Sequence, residues 1–204
     1  MSLTVPPDQL PEAAFDPPAT GEQSIVLGAG CFWCVEAVFR RLQGVTSAVS
    51  GYAGGTAETA NYKAVCTGST DHAEVLRVTY DAGEISLGRV LQIFFAVAHD
   101  PTHKNRQGND VGRQYRSSIF YADDTQRQVA EAYIKQLNEA QVFKVPLATI
   151  VEPLEAFYPA EDYHQNYAAL NPNQPYICMV SDPKVEKLKH YYGDLCKPGQ
   201  AVRK

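Results

Sequence analysis

The chain has 204 residues, 45% hydrophobic and 20% charged, with a formal net charge of -5. These figures describe one soluble globular domain, or at most two small ones, and argue against a nucleic-acid partner, which would favour a basic surface. No apolar run approaches the ~20 residues needed to cross a bilayer. The N-terminus lacks the basic and apolar regions of a secretory signal, so the expected location is cytoplasmic, with no membrane partner.

In chain order, residues 1–21 hold five of the 13 prolines and no apolar periodicity, which predicts an extended, partly disordered arm. Residues 24–27 form a short apolar run, a buried strand, broken by Gly28-Ala29-Gly30. From Cys31, Val35, Val38, Phe39 and Leu42 recur with helical spacing, and Gly44 ends that helix. Residues 45–52 and 75–80 read as strands, the second with period-2 alternation. Ser86 caps a helix whose Leu87, Val90, Leu91, Phe94 and Val97 share a face. A strand at 117–121 precedes a helix opened by Asp123 with Gln126 in capping-box spacing, its Val129, Tyr133 and Leu137 pointing inward. A short strand at 148–151 and a last helix from Asp182-Pro183 to Gly193 complete the set. Helices and strands interleave, but several strands lie too close together for parallel crossovers. The expected fold is therefore α/β (α+β): a two-layer sandwich, a mixed or antiparallel sheet with helices packed on it and a ferredoxin-like core. One domain is expected over 22–193, with 194–204 a mobile tail carrying Cys196.

Five cysteines, Cys31, Cys34, Cys66, Cys178 and Cys196, do not suggest a secreted disulfide framework. Cys31 follows a glycine turn at a helix start, where free backbone N–H groups favour an anion and lower a thiol pKa. The plain alternative is a buried, inert cysteine. Phe32 and Trp33, the one tryptophan, set aromatic faces beside it. Asp71-His72-Ala73-Glu74 enters a strand with His72 and Glu74 on one face; a glutamate entering a core is desolvated and suited to give up a proton late, although a surface glutamate fits the same pattern. The polar loop 105–116 is rich in chemistry-bearing side chains. Among 12 tyrosines, Tyr52, Tyr62, Tyr115, Tyr158, Tyr163 and Tyr167 fall in loops, where phenols can donate hydrogen bonds without carrying charge.

Together these segments resemble the A-type peptide methionine sulfoxide reductases, which repair oxidised methionine. The resemblance runs from about Ser24 to Lys189 and rests on six motifs in order. They are Gly-Cys-Phe-Trp at 30–33, Gly-Tyr-Ala-Gly-Gly at 51–55, Asp-His-Ala-Glu-Val at 71–75, His-Asp-Pro-Thr at 99–102, Arg-Gln-Gly-Asn-Asp-Val-Gly-Arg-Gln-Tyr-Arg-Ser at 106–117, and Pro-Ala-Glu-Asp-Tyr-His-Gln-Asn-Tyr at 159–167. It implies that Cys31 attacks the sulfoxide sulfur, Glu74 protonates the departing oxygen, Tyr62 and Tyr115 donate to that oxygen, Asp110 supports the site, and Phe32 and Trp33 receive the substrate methyl group. It also implies the S epimer, protein-bound or free, as substrate. Cys31 then becomes a sulfenic acid that a second thiol resolves. No bound cofactor or metal is expected; an external dithiol, thioredoxin or dithiothreitol, supplies electrons to a monomer.

The chain departs from the family at Cys34, where many members have glycine, and at Ile177-Cys178, where the cysteine falls one residue late. For the resolving thiol, Cys196 on the mobile tail comes first and Cys34 second, with Cys178 as an onward relay and Cys66 as a packing residue. Three rival readings of the same residues rank below this one. Cys31-Phe32-Trp33-Cys34 also suits a thioredoxin-like oxidoreductase, which leaves five motifs unused. A zinc site built on His72-Ala73-Glu74 lacks the later proline-cysteine signature, and Pro101 breaks any helix joining His99 to His103. A binding module for oxidised proteins would differ only in lacking turnover.

Overall fold

A computed structural model describes residues 3–199. Its elements are β1 (Glu22–Ala29), α1 (Phe32–Phe39), β2 (Val45–Ala53), α2 (Tyr62–Val65), β3 (Ala73–Asp81), α3 (Leu87–Ile93), β4 (Arg106–Gln107), β5 (Asp110–Val111), β6 (Ser117–Tyr121), α4 (Asp124–Glu139), β7 (Ile150–Pro153), β8 (Phe157–Pro159), α5 (Tyr167–Leu170) and α6 (Asp182–Tyr192). The main sheet has the order β7-β6-β1-β3-β2-β8, and β4 pairs only with β5. Its four central strands are mutually antiparallel, with β1 between β3 and β6. Because β1 and β2 both flank β3, the α1 connection is a crossover, and this is the ferredoxin-like core expected from the sequence. β7 joins parallel to β6, so the sheet is mixed.

Strand alternation sorts the core. Ile25, Leu27 and Ala29 of β1 and Leu76, Val78 and Tyr80 of β3 fall in one apolar cluster with residues of α1, α3, α4 and α6. The opposite face carries a small cluster, Val26, Ala53, Ala73, Val75 and Phe120, covered by Leu154 and Phe157. The helices therefore lie on one face, a two-layer arrangement. Capping follows the sequence. Ser86 accepts from the Arg89 N–H at 3.2 Å, and Asp123 accepts from the Gln126 N–H at 2.8 Å. The Gln126 side chain returns to the Ala122 N–H rather than to the cap residue itself. The α3 pattern runs on into a π-helical turn at Phe94–Ala98.

Both chain ends differ from expectation. The arm is docked: Leu10 is 2% exposed, Gln92 donates to the Leu10 carbonyl, and the Tyr133 and Tyr192 hydroxyls donate to the carbonyls of Pro11 and Pro7. Prolines removed its donors but left its carbonyls, and buried side chains of α3, α4 and α6 use them. The tail is also tied down. Cys196 is buried and bridges Leu42, the Gln43 N–H donates to Leu195 O, and the Lys197 N–H donates to Arg41 O, both at 2.8 Å. Residues 1–2 of the arm and 200–204 of the tail lie outside the described residues. Among the described residues no helix is long and apolar enough to cross a membrane.

A docked arm makes its anchor part of the core. Leu10→Ala is expected to lower unfolding free energy by about 2–5 kcal/mol, as other core truncations do. Urea denaturation checks this, and an unchanged midpoint would show an arm that contributes nothing.

Candidate active site

The site forms where β1 ends. Gly30 has φ +82°, and a Cβ there would meet Gln107 Cβ at 2.8 Å, so the turn into α1 needs glycine. It delivers Cys31 as the N-cap of α1. β3 runs antiparallel beside β1 with Leu27 opposite Leu76, and continuing that register sets Glu74 level with Ala29. Glu74 shares the helix-side face with Leu76 and Val78. Its Oε2 accepts the Phe32 backbone N–H at 3.1 Å, in a buried setting.

Burial pushes the Glu74 carboxyl up to about 8, only partly opposed by that hydrogen bond, with Asp110 and Cys34 adding to the rise. The group is neutral near pH 7. Burial also pushes the Cys31 thiol well up, reinforced by Cys34 and Glu74. The helix start was expected to do the opposite. The first N–H of α1 points at Glu74 instead of sulfur, and an eight-residue helix has little dipole to offset desolvation. Cys34, 0% exposed, is held below its ordinary range by a hydrogen bond from Cys31, against its own burial. Each thiol's ionisation therefore depends on the other's, and the two titrate as a pair.

Around them, Cys31, Phe32, Trp33, Tyr62, Glu74, Asp110, Tyr115, Gln174 and Tyr176 line a cavity of about 240 Å³. Every residue the sequence suggested for the nucleophile, acid, hydroxyl donors and aromatic wall is here. Burial raises the Tyr62 and Tyr115 phenols above their ordinary range, so both remain donors. Asp110 accepts the Tyr176 hydroxyl, and both residues also line a larger groove, about 680 Å³, that meets the cavity at Cys31. Trp33 stacks on Tyr167 with centroids 3.9 Å apart and planes 10° from parallel.

Other sequence-suggested groups lie elsewhere. His72 is buried, with Nε2 2.9 Å from Thr56 O, and does not line the cavity. Cys66, read as a packing residue, is exposed at the end of α2. Cys178 is exposed, its thiol donating to Pro172 O at 3.2 Å. Cys196 sits beside Leu42, past the C-terminal end of α1, whereas Cys31 caps the N-terminal end. An eight-residue helix spans about 12 Å, too far for a disulfide without unfolding the tail. Tyr176, Glu161 and His164 escaped the sequence reading. Tyr176 sits in a short apolar run, and the other two lie inside the 159–167 motif, whose Glu-x-x-His spacing was the available signal. Among the described residues no three His, Cys, Asp or Glu side chains are grouped as metal ligands.

Two thiols with linked ionisation, a carboxyl kept neutral by burial and several phenols around one cavity are the groups that a thiol-based reductase site needs. The family described as "Peptide methionine sulfoxide reductase" matches residues 23–195. The chain is 50% identical to peptide methionine sulfoxide reductase MsrA 2 of Synechocystis, over 88% of this chain and 84% of that one. It is 52% identical to the Deinococcus radiodurans MsrA, over 87% and 85%. Among solved structures, reduced Mxr1 of Saccharomyces cerevisiae superposes with a TM-score of 0.68 at 35% identity, covering 81% of this chain and 94% of that one. Methionine sulfoxide reductase A of Corynebacterium diphtheriae gives 0.64 at 35%, covering 76% and 77%. The chain belongs to the A-type peptide methionine sulfoxide reductases, and it is an oxidoreductase.

If Glu74 acts as an acid, the single-turnover rate falls as pH rises through about 8, because deprotonation removes the donor. Glu74→Gln is expected to lose about 10²- to 10⁴-fold in that rate with KM little changed, and to lose the alkaline limb. A rapid-quench pH profile reads both; an alkaline limb that survives in Glu74→Gln belongs to another group.

Proposed function

We propose that the chain reduces methionine-S-sulfoxide, in proteins and as the free amino acid, with Cys31 as nucleophile and Glu74 as acid. One observation carries this reading: a carboxyl held neutral by burial stands in the same small cavity as the Cys31 sulfur. A sulfoxide oxygen is a poor leaving group until protonated, and a neutral acid protonates it without adding a negative charge beside the thiolate. As Cys31 ionises to attack sulfur, Cys34 is placed to take its proton. The S–O bond breaks, the oxygen passes to Cys31 as a sulfenic acid, and methionine leaves as the thioether. Tyr62 and Tyr115 donate to the oxygen as charge builds there. Phe32 and Trp33 receive the methyl group, which fixes two substituents of a chiral sulfur while the third runs out to solvent. With the nucleophile fixed as well, one epimer fits.

Cys34 is the resolving thiol in this reading. Its sulfur attacks the Cys31 sulfenic sulfur, a Cys31–Cys34 disulfide forms and water leaves. The support is that Cys34 stands in the first turn of the helix that Cys31 caps, with its ionisation tied to that of Cys31, against the buried, bridged position of Cys196. An external dithiol of the thioredoxin type then reduces the disulfide and is itself oxidised, which suits a monomer in a reducing cytoplasm. The larger groove opening on Cys31 leaves a second approach to the pair while the methionine pocket stays intact.

Turnover with separated epimers and dithiothreitol tests the activity. Reduction of the S form alone is expected, and Cys31→Ser is expected to abolish it; residual activity within about tenfold of wild type excludes Cys31 as nucleophile. Peptide mass mapping after one turnover without reductant is expected to find Cys31 joined to Cys34, with Cys196→Ser fully active under thioredoxin. A Cys31–Cys196 peptide would instead require the tail to unfold in every cycle.

A further inference from the structure

No step of the proposed chemistry uses His164, yet its ring lies at the centre of the aromatic wall. Its side chain is 1% exposed. The ring centroid is 5.1 Å from that of Phe32, 5.6 Å from Trp33 and 4.4 Å from Tyr62. The Trp33 indole N–H donates to Nδ1 of His164 at 3.0 Å. An indole can only donate, so Nδ1 is unprotonated and the ring carries its proton on Nε2. That nitrogen has no hydrogen-bond partner among the described residues and stands 4.0 Å from Oε2 of Glu161. The Glu161 carboxylate accepts the Tyr52 hydroxyl at 2.8 Å and the Tyr62 backbone N–H at 2.9 Å. A glutamate and a histidine bracketing one 3-10 turn thus reach both the wall at Trp33 and the start of the helix that carries Tyr62.

Stacking alone does not orient Trp33. Its contact with Tyr167 restrains the ring along its normal but leaves it able to slide and turn in plane. The indole hydrogen bond is directional and removes that freedom. We propose that His164 is a positioning residue of the sulfoxide site: through Nδ1 it holds the Trp33 ring in the orientation that receives the substrate methyl group. Burial holds the imidazole below its ordinary range despite Glu161, consistent with a ring that must stay neutral to accept. The inference rests on Phe32 and Trp33 forming the methyl pocket.

Trp33 is the single tryptophan, so its fluorescence reports this wall alone. His164→Phe keeps a ring but removes the acceptor. It is expected to raise KM for the sulfoxide about tenfold, the worth of one neutral hydrogen bond, with kcat within about twofold and Trp33 emission shifted. His164→Asn sets an amide oxygen near the Nδ1 position and is expected to restore KM and emission. His164→Gln reaches toward Nε2 and is expected not to. Should His164→Phe fail to fold, the Asn and Gln variants carry the comparison. Equal behaviour of those two, or an unchanged KM in His164→Phe, overturns the proposal. Trp33→Ala separates the layers. If it leaves KM unchanged, the pocket reading fails and takes this inference with it; if it raises KM while the His164 variants do not, only the inference fails.

Discussion

The hydrogen bond from the Phe32 backbone N–H to the Glu74 carboxyl joins the start of α1 to the start of β3, and the rest of the site is arranged around it. It exists because the fold sets β3 beside β1 in antiparallel register, so the strand that leads into Cys31 lies next to the one that has Glu74 at its start. One partner is backbone, so the carboxyl is located by the sheet and helix start together rather than by a mobile side chain. The bond also occupies the N–H that a Cys31 thiolate would otherwise attract. Burial then acts on the thiol with little opposition, and Cys34 becomes the group that accommodates the ionised sulfur.

Such a site works against the fold's stability. Glu74 ionises in the unfolded chain near the ordinary carboxylate range of about 4.3 but in the native protein only near 8. Between those values the unfolded state loses a proton that the native state keeps, so rising pH favours unfolding through this group. The core on the same face of the sheet supplies the compensation: α1, α3, α4 and α6 share one cluster there, and the docked arm extends it.

Two π-helical turns flank the site. Phe94–Ala98 leads into His99, whose ring nitrogens pair with Phe94 O and Ser117 Oγ, and Ile177–Ser181 comes directly after Tyr176. A π turn inserts an extra residue into helical backbone and re-aims the residues after it, a device found often at functional sites. Here both deliver residues to the groove beside Cys31. Trp33 of α1 meets His164 and Tyr167, from the turn and short helix after β8, in the aromatic wall of the cavity.

Local rules singled out Cys31, after a glycine turn at a helix start, and Glu74, at the entrance to a strand, but an inert cysteine and a surface glutamate fit the same patterns; the resemblance across six motifs is what implied roles for them and for Phe32 and Trp33. The ferredoxin-like order came from alternating helices and strands with connections too short for parallel crossovers throughout. The fate of the aperiodic segments was not legible. The proline-rich arm and the tail at Cys196 show no pattern, yet each is held by backbone groups that any sequence possesses, and whether those groups find partners depends on what other segments place opposite them. The same holds for the ionisation of the thiol pair, where a helix start argues one way and burial the other. His164, Glu161 and Tyr176 belong with these: each contacts residues dozens of positions away. Sequence by itself determined which residues sit at the strand ends and on their buried faces, since those properties repeat with the backbone period. Only the tertiary structure decided which thiols have linked ionisations, where Cys196 sits relative to Cys31 and which ring accepts from Trp33, because those depend on distances between segments that no local period records.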